Sequence, residues 1–154
     1  MKTVLAPIDF SDVSDQVVAA AVELACGVEG RLVLLHVTLP QPRLGGDAAL
    51  AESGAEFASL AEGDAHRRLH QLQEELRARG VAAHAVLRTG PPGECITHQA
   101  ERLAADYIVM GSHGHTAFYD LIVGSTTTRV LQEARCRVMV VTPGCRSRRH
   151  RSGS

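Results

Sequence analysis

Short apolar runs alternate with stretches of helical spacing along nearly the whole chain. Five runs, 3–9 (TVLAPID), 31–37 (RLVLLHV), 81–87 (VAAHAVL), 106–111 (DYIVMG) and 137–142 (RVMVVT), are mostly apolar without strict alternation. That is the pattern of strands covered on both faces. Between them, apolar residues recur three and four apart: Val17, Val18, Ala21, Leu24 and Ala25; Ala65, Leu69, Leu72 and Leu76; Ile96, Ala100 and Leu103; Val130, Leu131 and Ala134. Each set marks the inward stripe of a helix. Ser11 or Ser14 can cap the first helix, Gly80 can end the second, and Pro91 with Pro92 can open the third. Regular alternation of strand and helix predicts right-handed crossovers and a parallel sheet with helices on both faces. Segment 38–57, rich in Pro, Gly and small residues, breaks the rhythm and is expected to be a surface loop leading into the second helix.

Composition narrows the setting. The 154 residues suit one domain, which at this size buries about two-thirds of its unfolded surface. No apolar run approaches the roughly 20 residues of a membrane span. The opening MKTVLAPIDF is interrupted by Pro7 and Asp9 and lacks a small-residue cleavage site, so it does not read as a signal peptide and a cytoplasmic location is expected. Cys26, Cys95, Cys136 and Cys145 show no C-x-x-C spacing and are expected to be reduced, small core residues. Net charge is −1, but Arg146, Arg148, Arg149 and Arg151 crowd the last ten residues. The body without them carries twelve basic against seventeen acidic residues. A domain of 1–144 followed by a basic, disordered tail of 145–154 is therefore expected. Nucleic acid is not an expected ligand, since the body is acidic and only 3% of residues are aromatic, with no tryptophan.

The candidate chemistry lies at 110–130, MGSHGHTAFYDLIVGSTTTRV. Gly111 and Gly114 follow the fourth strand and let backbone N–H groups approach an anion that a Cβ would hold off. Gly124 and Ser125 open the last helix, whose N-terminus offers unpaired N–H groups and a positive dipole end. Ser125, Thr126 and Thr127 add hydroxyl donors. The alternative is structural: the first two glycines shape a turn and Ser125 caps a helix. Ligands of such sheets sit beyond the carboxyl ends of the strands. If the first and fourth strands are neighbours, the loops APIDFSD, HVTLP and GSHGH meet at one edge.

Gly111-x2-Gly114-x9-Gly124-Ser125 resembles the G-x2-G-x9-G-[S/T] pattern of the nucleotide-binding universal stress proteins. VLAPIDFSDVS, LVLLHV, GPPGECI and CRVMVV are similar to that family's first strand and turn, second strand, third-helix start and last strand. The resemblance implies an open five-stranded parallel sheet of order 3-2-1-4-5, binding of ATP, ADP or AMP with or without magnesium, and a homodimer through strand 137–142. It places Asp9 near the ribose or base and lines an adenine slot with Pro7, Val37 and Met110. Gly111, Ser112, His113, Gly114, Gly124, Ser125 and Thr126 would hold ribose and phosphates. Each has a plainer role open to it, such as Asp9 capping the first helix. Two departures stand out, one after the second glycine and one at Arg137, which stands where the family's last strand often has proline. His115 and Asp120 occupy positions where the family often carries basic residues.

Enzymatic readings find less support in the residues. SHGH differs in spacing and place from the H-x-G-H of nucleotidyl transferases, and no glycine precedes a lysine in P-loop fashion. His66 and His70 could share a metal on one helix face but have no evident third ligand and are expected to be solvated. The expected function is a nucleotide-dependent binding module. A slow ATPase or nucleotidyl-transfer enzyme, and a scaffold without nucleotide, are the alternatives.

Overall fold

The computed structural model describes residues 1–40, 48–112 and 123–144, and for 48–59 the main chain alone. Five parallel strands form one sheet: β1 (Thr3–Pro7), β2 (Arg31–Thr38), β3 (Ala83–Thr89), β4 (Tyr107–Gly111) and β5 (Arg137–Val141). Their order is β3-β2-β1-β4-β5. Four helices alternate with them: α1 (Ser14–Gly27), α2 (Ala48–Ala78), α3 (Pro92–Arg102) and α4 (Ser125–Glu133).

Side-chain alternation along buried strands builds two apolar layers. Val4, Ala6, Leu32, Leu34 and Val109 pack with Val17, Ala21 and Ala25 of α1 and Leu69 and Leu76 of α2. Leu5, Val33, Leu35, Ile108 and Met110 face the other way, onto Ile96 and Ala100 of α3 and Val130 of α4. Each fully buried leucine or isoleucine contributes roughly 1.5–3 kcal/mol relative to exposure, so the sheet centre dominates the fold's stability. At the opposite end of the strands from the loops above, Asp106 accepts hydrogen bonds from the Thr3 amide and the Lys2 ammonium, both at 2.9 Å. The Thr3 amide first, and then Lys2, hold this carboxyl below its ordinary pKa.

Several element boundaries follow the sequence signals. Gly80 takes a positive φ of 83° just after α2, and Pro91 and Pro92 are the N-cap and first residue of α3. Segment 38–57 does not: α2 begins at Ala48 and runs 31 residues. The Ala-Ala-Leu-Ala-Glu start is rich in strong helix formers, and their propensity prevails over the loop-like small residues. The third strand is displaced to Ala83–Thr89, because Val81 closes the turn after α2 by donating to Leu76 O.

The cysteines also depart from expectation. Cys26 is exposed and Cys95 half-buried, away from the core, whereas the half-buried Cys136 packs against the second apolar layer. Cys145 and the tail lie outside the described residues. Leu131, expected on the inner face of α4, is 48% exposed. His66 and His70 are exposed. Among the described residues no helix is long and apolar enough to cross a membrane.

Candidate functional site

β1 is the point where strand order reverses: the chain proceeds from it to β2 on one side and later returns to β4 on the other. Crossovers leaving in opposite directions open a crevice there, at the carboxyl ends of the strands. A cleft of about 160 Å³ occupies that position. Its walls combine Pro7 at the end of β1 with Ile8 and Asp9 after it, Leu35 and Val37 of β2, and Met110 and Gly111 of β4. Val13, Ser14 and Val17 of the α1 region, Pro92 and Ile96 of α3, and Thr126 and Thr127 of α4 complete them.

Of the residues expected here, Pro7, Asp9, Val37, Met110, Gly111 and Thr126 come together on the cleft wall. Ser112, Gly124 and Ser125 adjoin these segments but do not line the wall. His113 and Gly114, like His115 and Asp120, lie outside the described residues. Ser14, Val17, Pro92 and Ile96, which the sequence offers as capping or core positions, are cleft residues as well, and so is Val13, which had no expected role. Val13, Ser14, Pro92 and Ile96 lie within VLAPIDFSDVS and GPPGECI, two of the segments that carry the resemblance, and that is the signal that could have found them.

The first turn of α1 is held by Asp9. Its Oδ1 accepts the Ser11 N–H at 3.0 Å and the Ser14 hydroxyl at 3.1 Å, an arrangement in which a short acidic side chain replaces a backbone partner. Neither Ser11 nor Ser14 acts as the expected side-chain cap, since the N-cap is Val13 with no such bond. Asp9 thus braces the turn before α1 against the first residue of the helix from a place on the cleft wall. Phe10 adopts φ 58°, which is uncommon for a side chain with a Cβ. Its ring lies 5.0 Å from that of His36 and beneath the Arg68 guanidinium, 4.2 Å from the ring centroid. His36 donates from Nδ1 to Ile8 O at 2.8 Å, since a carbonyl can only accept.

Main-chain direction at the end of β2 follows from its bonds. Arg31 N–H donates to Lys2 O and Leu35 O accepts from Ile8 N–H, both at 2.8 Å, so odd-numbered residues turn their peptide groups toward β1. Leu32 N–H to Ala82 O and Gly90 N–H to Thr38 O show even-numbered residues turned toward β3. Val37 is the next odd residue after Leu35, and the β1–β2 register ends at Pro7 and Leu35. Its N–H and C=O therefore face the cleft side, one step beyond the last β1 pairing, as an adjacent donor and acceptor.

Helix starts surround the same space. Val13, Pro91 and Gly124 are the N-caps of α1, α3 and α4, and none makes a side-chain capping bond. The α4 first turn contains no acidic residue. Its leading N–H groups and positive dipole end therefore favour an anion. Gly124 N–H donates to Ser112 O at 2.8 Å, and Thr127 Oγ1 donates to Gly111 O at 2.8 Å. Thr127, expected among the hydroxyl donors to a ligand, has committed its hydrogen to β4.

The fold and cleft define an open, doubly wound α/β protein with an apolar crevice ending in a helix N-terminus. Within that class, the chain belongs to the universal stress protein family, which it matches over residues 1–142. A universal stress protein of Methanocaldococcus jannaschii is 30% identical over 141 residues, covering 91% of this chain and 81% of that protein. The structure of a universal stress protein from Lactobacillus plantarum superposes with a TM-score of 0.77 at 25% identity, over 91% of this chain and 97% of that one. Two universal stress proteins of the same fold were solved in complex with cAMP and with dAMP. The cAMP complex is 23% identical with a TM-score of 0.65, over 91% of this chain and 96% of that one. The dAMP complex, from Archaeoglobus fulgidus, is 19% identical with a TM-score of 0.60, over 91% and 97%.

Proposed function

We propose that this protein binds an adenine nucleotide in the cleft and acts as a nucleotide-dependent binding module. The observation that carries the reading is the pairing of an apolar slot with two kinds of polar group. Val37, Met110 and Ile96 supply apolar walls for a flat ring. The Val37 peptide edge suits adenine, whose amino group donates beside a ring nitrogen that accepts. The uncapped start of α4 suits phosphate. Asp9 stands at the ribose or base, and Ser112, His113, Gly114, Gly124 and Ser125 are assigned to ribose and phosphate from the sequence pattern. The cAMP and dAMP bound by structural neighbours are ligands of the same chemical class. ATP, with or without magnesium, and a cytoplasmic location belong to this proposal.

Occupancy would stabilise one conformation or dimer that partners recognise. The dimer is assigned to the β5 edge, where Met139 is 42% exposed; an apolar edge strand favours pairing with a second copy. The test is calorimetric titration with AMP, ATP and GMP, together with identification of any small molecule released on denaturation. AMP or ATP should bind and GMP should bind more weakly, because guanine presents an acceptor to the Val37 carbonyl. Equal affinity for GMP, or no binding of any of the three, overturns the reading. Sustained phosphate release from ATP would replace the binding module with a hydrolase.

A further inference from the structure

Thr127 is 2% exposed in the first turn of α4. Its hydroxyl reaches back 16 residues to the Gly111 carbonyl, and one residue beyond β4 the Ser112 carbonyl accepts from Gly124 N–H. Two consecutive carbonyls at the end of β4 thereby clasp the start of α4. A hydroxyl has one hydrogen, so Thr127 cannot donate to Gly111 and to a ligand at once. Toward a phosphate, whose oxygens accept, its contribution therefore has to run through the helix it holds.

We propose that Thr127 is a positioning residue: its bond to Gly111 O aims the first-turn N–H groups of α4 at the bound phosphate. This rests on the nucleotide reading above. Hydrogen-bond strength falls steeply as the angle at the hydrogen departs from linear, so a small tilt of α4 weakens several N–H contacts together. The apolar walls of the base slot, Val37 of β2, Met110 of β4 and Ile96 of α3, lie outside the first turn of α4 and make no use of its N–H groups. Thr127 therefore separates recognition of phosphate from recognition of the nucleoside.

The test compares AMP and adenosine binding to the wild type, Thr127→Val and Thr127→Ser by calorimetry, well below each protein's unfolding transition. Valine keeps the branched shape without the hydroxyl, and serine keeps the hydroxyl. Thr127→Val should weaken AMP about tenfold, equivalent to about 1.4 kcal/mol, leave adenosine within about twofold, and be rescued by Thr127→Ser. If valine prevents folding, Thr127→Ala removes the hydroxyl without placing a methyl against the carbonyl and supports the same comparison. A variant that only lowers the melting temperature while its folded form binds AMP normally overturns the proposal. So does an equal loss for AMP and adenosine. A wild type that binds no nucleotide overturns the underlying reading and this inference with it.

Discussion

Replacing Ser125 by aspartate should stabilise the protein and impair its proposed ligand binding. Ser125 is exposed, is the first residue of α4, and follows an N-cap without a side-chain bond in a turn that lacks any acidic residue. A carboxylate there meets the positive end of the helix dipole, typically contributing about 0.3–1 kcal/mol. For a domain of this size that corresponds to about 1–4 °C in Tm. The same carboxylate would stand beside the phosphate. Unit charges about 6 Å apart repel by roughly 0.7 kcal/mol in water and roughly 2.8 kcal/mol at an effective dielectric of 20. Ser125→Asp should therefore weaken AMP by about threefold to about a hundredfold.

Ser125→Asn, similar in size and uncharged, isolates the electrostatic part. Thermal unfolding without ligand and titration with AMP and adenosine at low and moderate salt measure both effects. The aspartate variant should melt highest, bind AMP least, and recover AMP affinity as salt screens the repulsion. Equal AMP affinity for the aspartate and asparagine variants at low salt would show that the start of α4 does not face the phosphate.

Gly30→Ala should destabilise the fold by about 1–3 kcal/mol, as overpacking does, because an added Cβ would lie 2.7 Å from the Lys2 backbone oxygen; an unchanged urea midpoint would contradict this. Asp106→Asn should lower Tm at neutral pH, since the wild-type carboxyl has its pKa depressed below the ordinary 3.8. A depressed carboxylate stabilises above its unfolded pKa and loses that contribution as pH falls through the folded value, so the gap between variant and wild type should close in acid, and a pH-independent gap would refute the assignment. Met139→Glu should convert a dimer to a monomer in light scattering without loss of helix signal, because Met139 is exposed on the edge strand. A wild type that is already monomeric at micromolar concentration would remove the β5 interface.

Legibility in the sequence follows physical cause. β1, β2 and β4 were readable because strands buried on both faces must be nearly continuous apolar runs, whereas the turn at Val81 was absorbed into β3 because valine suits either setting. The first turns of α2 were hidden by small residues that serve loops and helices alike. Cys26 illustrates a finer limit: the inward stripe of α1 passes through Val17, Ala21 and Ala25, and the next residue is turned about 100° away from it. Pro7, Asp9, Val37, Met110, Gly111 and Thr126 were placed in the cleft by pattern and resemblance. The direction of the Thr127 hydroxyl was not legible, because three consecutive threonines point in three directions around the helix and only the docked β4 end distinguishes them. The bonds of Asp9 to Ser11 and Ser14 differ from the expected cap of the first helix, since they brace the turn before it from a position on the cleft wall.

The central position of β1 has a consequence for synthesis. β1 pairs with β2, about thirty residues away, and with β4, about a hundred residues away, so the sheet closes across its middle only after a long segment has been made. Chains emerge from the ribosome N-terminus first. A nascent chain holding β1, α1 and β2 already owns Pro7, Asp9, Leu35 and Val37, but Pro92, Ile96, Met110, Thr126 and Thr127 arrive later. The cleft belongs to neither half, and whatever fills it can select only for completed molecules.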